Sequence, residues 1–407
     1  MKTLLYNIKE KEGEIMKILA VNCGSSSLKF KMYEMPEEEV LISGLFERIG
    51  EKVSDYTIKL NGEKYSKEVE LPNHKVAFEI LVEELKKNKI IKKLDEIKGI
   101  GHRIVQGGDY FDKTVEADDD AVSKIDELAV LAPLHNKAAI TGINAAKEVI
   151  PSAFEAVTFD TAFHQTIEPV NYLYAVPYEW YTDYKVRKYG AHGTSHKYIT
   201  SRLNALLGRT NTKLITCHIG SGASVSAIKD GICIDTSMGL TPNAGLIMGT
   251  RCGDIDTSVV TYMMQKGGYT AKEMDTILNK KSGLLGISGV SNDSRDIEEG
   301  INKGNERCVL AQKMYVQKII DYIAMYYFEL GGVDAIAFSA GVGENSIRTR
   351  IDIMEGLKVL GIVPDYEANN CRGEEKLVTT EDSKIPCYVV PTDEEIMIAR
   401  DTYNLCK

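Results

Sequence analysis

Gly24-Ser25-Ser26-Ser27, Gly220-Ser221-Gly222 and Gly341-Val342-Gly343-Glu344-Asn345 are the stretches of this chain best suited to holding phosphate. Where side chains are small the backbone approaches an anion closely, and its N–H groups, helped by the hydroxyls of Ser25, Ser27 and Ser221, point at the oxygens. None is a Walker loop, since the pattern GxxxxGK[ST] does not occur. One such turn is as compatible with an ordinary hairpin tip, but three on one chain point to a nucleotide. A phosphoryl group in transfer also spreads negative charge over its oxygens and requires cations. Arg103 lies between Gly101 and Gly107-Gly108, Arg251 lies within Gly249-Thr250-Arg251-Cys252-Gly253, and Lys29 follows the first serine turn. All three are candidates.

Two carboxylates stand at strand ends: Asp160 after the apolar residues 156–158, and Glu394 after a strand expected over 387–390. Glu395 fits a capping box opened by Thr392, a structural duty. His192 and His196 are four residues apart, yet no HExxH pattern or cysteine partner completes a zinc site.

The elements expected to position these groups alternate between strand and helix, which predicts an α/β protein. Strands are expected at 18–21 and 28–33, a hairpin at 56–60 and 64–69 turning on Asn61-Gly62, and a strand at 335–338 followed by the third glycine segment and then a helix. Thr270 and Glu273 form a capping-box pattern, and Val316, Ile319, Ile320, Ile323, Tyr327 and Leu330 make one helical stripe closed by Gly331-Gly332. The strand, small-residue turn and strand of 18–30 recur at 214–228. This echo predicts a duplicated domain plan, with the two turns facing a cleft between domains.

At 407 residues the chain is too long for a single small module. No apolar run approaches the ~20 residues of a membrane span, and a net charge of -10 without a basic patch argues against nucleic-acid binding. Eight cysteines without a CxxC pair fit thiols in a reducing cytoplasm. Residues 1–15 are polar and read as an N-terminal extension, with Met16 the true start.

Asn22-Cys23-Gly24-Ser25-Ser26-Ser27-Leu28-Lys29, Gly101-His102-Arg103, Phe159-Asp160-Thr161-Ala162-Phe163-His164, Arg187-Lys188-Tyr189-Gly190, His192-Gly193-Thr194-Ser195-His196, Met248-Gly249-Thr250-Arg251-Cys252-Gly253 and Ala340-Gly341-Val342-Gly343-Glu344-Asn345 closely resemble the motifs of the acetate kinase family. The likeness is colinear from Met16 to the C-terminus. It implies two similar actin-like ATPase domains of a duplicated ribonuclease-H-like fold with an interdomain active-site cleft. The expected division is residues 16–165, residues 166–395, and a C-terminal helix, 396–407, returning to the first domain. It implies transfer of phosphate from ATP to acetate, giving acetyl phosphate, in a homodimer. Asn22 and Glu394 would organise Mg2+, or alternatively Mn2+. Lys29, Ser25 and Ser27 would meet phosphate, and Arg103 would hold the acid. Asp160 resembles the catalytic aspartate, while His192 and Arg251 would stabilise the phosphoryl group. His218, Ile219, Gly220, Ser221, Gly222, Asp293, Ser294, Arg295 and the run from Gly341 to Asn345 resemble nucleotide-binding segments. Val105, Leu134, His135, Ala191 and Pro242 would line the acid pocket.

The chain departs from the family pattern at Gln106, Lys137, Ala191, Ser221, Leu240 and Ser294, where the family has His, Pro, Phe, Asn, Phe and Phe. Ala191 replaces a ring of the methyl pocket, so a propionate or butyrate kinase is the alternative within enzymes. From another class, an ATP-binding actin-like or chaperone-like protein without kinase activity is the alternative.

Overall fold

The computed structural model describes residues 13–407, apart from the side chain of Leu134; of the expected extension, residues 1–12 lie outside the described residues. The chain divides into two compact units, one running to Ala162 and taking in Asp393–Lys407, the other formed by Phe163–Thr392.

The first unit is built on eight strands: β1 (Met16–Gly24), β2 (Ser27–Met35), β3 (Glu39–Glu47), β4 (Ser54–Leu60), β5 (Glu63–Val69), β6 (Ile97–Ile104), β7 (Val115–Glu116) and β8 (Phe154–Phe159). Their order is β5-β4-β3-β2-β1-β6-β8-β7, antiparallel from β5 to β1 and parallel across β1, β6 and β8. Alternation along β2 places Leu28, Phe30 and Met32 in the core while Lys29 and Lys31 face the other way. Phe30, Phe46, Tyr56 and Ile58 pack with Phe78, Leu81 and Leu85 of the helix His74–Lys87. On the opposite face lies the helix Glu394–Cys406, against β1, β2, β6 and β8. Gly99 and Gly101 of β6 admit it: a Cβ on Gly101 would stand 2.3 Å from Thr402 Oγ1.

The second unit carries β9 (Lys213–Ile219), β10 (Ala223–Lys229), β11 (Ile232–Thr236), β12 (Ala335–Ser339), β13 (Lys376–Leu377) and β14 (Cys387–Val389) in the order β11-β10-β9-β12-β14-β13. Strands β9, β12 and β14 run parallel, and every residue of β12 is buried, as a strand covered on both faces requires. The helices Glu306–Leu330 and Gly193–Leu207 contribute to the two cores involved. Both units repeat one plan: an antiparallel meander of three strands whose first strand continues into two parallel neighbours. These are two similar actin-like domains with ribonuclease-H-like cores.

Several local expectations meet their structural counterparts. Asn61 and Gly62 adopt positive φ of 52° and 81°, the backbone of a primed two-residue turn. Thr270 and Glu273 form the capping box. The stripe at 316–330 belongs to a longer helix, capped at Asn305 and closed by Gly331, with Tyr326 buried and Tyr327 only partly so. The segment 341–345 does precede a helix, Ile347–Gly356, and is itself helical as part of the short helix Ala340–Asn345. One reading is corrected. Glu395 is no capping partner of Thr392: Asp393 caps the last helix by accepting from Ile396 N at 3.2 Å, and Glu395 pairs with Lys29 and Lys31. A buried carboxylate with two ammonium groups in reach is held by charge before any backbone N–H is needed.

All eight cysteines are free thiols. No described helix is long and apolar enough to cross a membrane.

Candidate active site

In the first unit the cluster forms where β6, β8 and the last helix end together. Arg103, one residue from the end of β6, presents one edge of its guanidinium to Asp160, just past β8, with Nε to Oδ1 at 2.9 Å and Nη2 to Oδ2 at 2.7 Å. Its Nη1 lies 3.6 Å from Oε2 of Glu394, the first residue of the last helix. Burial alone would weaken the proton affinity of Arg103, but Asp160 and Glu394 more than offset it, so the guanidinium stays charged. Burial raises the Glu394 carboxyl above its usual range; Arg103 opposes this, and Asp160 and Glu395 add to it. For Glu395 burial also acts upward, yet Lys29 and Lys31 outweigh it and hold the carboxyl at about 2. Lys31 further meets Asp393 at 2.9 Å.

Asn22 stands near the end of β1, opposite Lys29 across the hairpin. Ser25 is exposed at the turn, whose Gly24 carbonyl is joined to His74 Nε2 at 2.8 Å, and Ser27 opens β2. Val105 is half-buried just past β6, and His135 is exposed in the first turn of the helix Pro133–Val149. Leu134 shares that turn; its side chain lies outside the described residues.

In the second unit His192 and Arg251 meet over Gly222. A Cβ there would lie 2.5 Å from Arg251 Nη2 and 3.5 Å from His192 Cε1. Arg251 donates from Nη1 to the Pro242 carbonyl at 2.5 Å, and among the described residues it makes no ion pair. Burial pushes its proton affinity down with no carboxylate to compensate. A half-buried guanidinium in that condition is suited to receive an anion. His192 starts the helix Gly193–Leu207 at a φ of 58° and stacks on His218 with ring centres 4.0 Å apart. Ala191 is buried in this unit's core, its carbonyl joined to His164 Nε2 at 2.9 Å.

The nucleotide-like segments also converge in the second unit. Gly220, Ser221, Asp293, Ser294, Arg295, Gly341, Val342 and Asn345 line one cavity of about 380 Å³, within the size range of small-molecule sites. Gly341, Val342 and Asn345 belong to the short helix that follows β12 directly, while Asp293 caps the helix Ser294–Asn302 and pairs with Arg295. Ile219 and Gly343 are buried and are not among the residues that line the cavity. Glu344 points away: its Oε1 accepts from the backbone N–H of Ala340 and of Thr392, at 2.8 and 3.0 Å.

The acetokinase family profile matches residues 17–400. The acetate kinase of Bacillus subtilis is 50% identical over 393 residues, covering 96% of this chain and all of that protein. The chain belongs to the acetokinase family. It is a kinase that passes phosphate from ATP to a carboxylate, as that family does. Among solved structures, acetate kinase from Porphyromonas gingivalis is 44% identical with a TM-score of 0.91, and a propionate kinase from Francisella tularensis is 39% identical with a TM-score of 0.90. Each covers 96% of this chain and is itself covered in full.

Within this acetokinase the cavity also takes in Gly249 of the motif around Arg251, and Leu284, Asn292, Glu298, Ser346 and Arg372, which no sequence motif marked. Arg372 follows a buried cysteine in a loop, and no spacing tied it to the glycine segments. Gln106 is buried, accepting from Gly108 N at 2.9 Å, so it serves the Gly107-Gly108 turn. Lys137 forms an exposed ion pair with Asp126, and Leu240 N donates to the Tyr174 hydroxyl. Among the described residues no three His, Cys, Asp or Glu side chains converge as a metal cage. Mg2+ needs less, since it takes one or two protein oxygens and completes its shell with water and phosphate. Asn22 and Glu394 offer oxygens of that kind.

Proposed function

We propose that this chain catalyses the reversible transfer of the γ-phosphoryl group of ATP to acetate, forming ADP and acetyl phosphate. The observation that carries this reading is Arg251, a half-buried guanidinium without a carboxylate partner among the described residues, beside His192 at the turn whose Gly220 and Ser221 line the cavity. ATP occupies that cavity, with the phosphates against the Gly220 to Gly222 turn. Arg251 neutralises the equatorial oxygens as the phosphoryl group moves, and His192 donates a hydrogen bond to them.

Acetate, with a pKa near ~5, is already ionised at neutral pH and needs placing more than deprotonation. Arg103 places it: Asp160 takes the Nε and Nη2 edge and fixes the plane of the guanidinium, and the acid shares the Nη1 side with Glu394. Val105, Leu134, His135, Ala191 and Pro242 supply the surroundings of the methyl group. Asn22 and Glu394 hold Mg2+, which when bound offsets the repulsion between two anions. Lys29, half-exposed and resting on Glu395, is free to swing to a phosphate with Ser25 and Ser27. On this reading the first unit holds the acid and the second holds the triphosphate.

We take the working form to be a homodimer in the cytoplasm. Trp180, Tyr262 and Phe328 of the second unit are exposed apolar surface of the kind a partner covers, and eight free thiols suit a reducing compartment. A second reading, preference for propionate or butyrate, is favoured by Ala191 standing where the family carries Phe.

The test is to trap acyl phosphate with hydroxylamine, acid by acid, in the presence of MgATP. ATP-dependent hydroxamate from acetate is expected. Nucleotide binding without hydroxamate from any short acid overturns the assignment and favours the actin-like or chaperone-like alternative.

A further inference from the structure

Behind His192 runs a chain of hydroxyls and imidazoles whose protons can be placed by counting donors and acceptors. Thr216 on β9 and Ser224 on β10 are wholly buried, as is His196 between them. Thr216 Oγ1 lies 2.7 Å from His196 Nδ1, Ser224 Oγ lies 2.8 Å from His196 Nε2, and His192 Nδ1 lies 2.9 Å from the same Ser224 Oγ. Among the described residues no other side-chain partner reaches Thr216 Oγ1 or Ser224 Oγ.

A buried hydroxyl proton needs an acceptor, and Thr216 has only His196 Nδ1. Nδ1 therefore accepts, and the imidazole carries its proton on Nε2. Burial, together with His164 and His218 nearby, holds His196 far below its ordinary proton affinity, so a second proton is not carried. His196 Nε2–H then donates to Ser224 Oγ. The single proton of Ser224 is left for His192 Nδ1, which must accept it.

We propose that this relay fixes His192 as the neutral tautomer protonated on Nε2, and that Thr216, His196 and Ser224 are its positioning residues. A buried neighbour thereby sets the hydrogen-bonding polarity of His192, in the way that an outer partner fixes the tautomer of a working imidazole. Resting on the kinase reading above, the consequence is an Nε2–H donor for the transferring phosphoryl group. That donor needs no uptake of a proton from solvent, so it is present before ATP binds.

The direct test is nitrogen NMR of the full-length protein with 15N-labelled histidine at neutral pH, the His192 signals being assigned from their loss in His192→Gln. Protonation on Nε2 with a pyridine-like Nδ1 is expected. Protonation on Nδ1, or an imidazolium, overturns the proposal. This readout needs no turnover, so it stands apart from the kinase reading, which fails if the wild-type protein makes no acyl phosphate.

Kinetics supply the second arm. Thr216→Val and Ser224→Ala should each lower kcat by about tenfold to a hundredfold, with both KM values within about twofold, and Thr216→Ser should retain wild-type kcat. Wild-type kcat in a folded Thr216→Val with an unchanged His192 tautomer overturns the relay. If Thr216→Val fails to fold, Ser224→Ala and the wild-type spectrum decide.

Discussion

Arg103 and Asp160 meet edge to edge through two hydrogen bonds, whereas Arg251 has a backbone carbonyl as its anchor and, among the described residues, no carboxylate. The two arginines should therefore fail differently. Arg103→Ala strands the buried carboxylate of Asp160 and should cost about 3–5 kcal/mol of stability as well as activity. Arg251→Ala leaves no orphaned charge; it should lower kcat about a thousandfold or more with little change in Tm. Thermal unfolding beside hydroxamate formation separates the two. Equal destabilisation by both variants would remove the distinction.

The approach of Arg251 and His192 to Gly222 gives a steric test. Alanine at 222 needs no unusual backbone, but its methyl would lie 2.5 Å from Arg251 Nη2, the far end of a flexible side chain. The fold should tolerate the change while the guanidinium is displaced. A kcat loss of at least about tenfold is expected with Tm nearly unchanged. Wild-type kcat in Gly222→Ala would show that Arg251 does not act from this position.

Glu395 links the first unit's stability to acid. Lys29 and Lys31 overcome the effect of burial and hold its carboxyl at about 2, against an ordinary 4.5. Between those values the unfolded chain binds a proton that the folded chain does not, so stability falls with falling pH. The contribution is complete above pH 4.5 and is lost as pH drops through about 2. Glu395→Gln cannot lose it, so denaturant unfolding of wild type and variant should converge between pH 5 and pH 2. A gap that stays constant over that range would place the linkage elsewhere.

The strand and turn order of both units was legible because alternation, Asn61-Gly62 and the echo of 18–30 at 214–228 are local signals. The fates of Glu395 and the glycine segment at 341–345 were not. Thr392 and Glu395 satisfy a capping pattern in sequence, and only the packing of the last helix on β2 brings Lys29 and Lys31 close enough to claim the carboxylate. Arg372 was invisible for a similar reason: it lines the second unit's cavity from a loop far along the chain. Family resemblance marked Arg103, Asp160 and Glu394, but the division of Arg103 between two carboxylates depends on how β6, β8 and the last helix end together.

Ala191 offers the test of acid preference. It is 3% exposed and belongs to the second unit's core, so a phenylalanine there must displace its neighbours at a cost of about 1–3 kcal/mol. If that position limits the acyl chain, the wild-type protein accepts propionate and butyrate readily, because each added methylene gains about 0.8 kcal/mol, or roughly fourfold in kcat/KM. Ala191→Phe should then lower kcat/KM for butyrate at least about tenfold more than for acetate, through loss of room for two methylenes. Rates across acetate, propionate and butyrate for both proteins measure this. An identical acid profile in the two would mean that the pocket ends elsewhere and that acetate is preferred for reasons unrelated to this side chain.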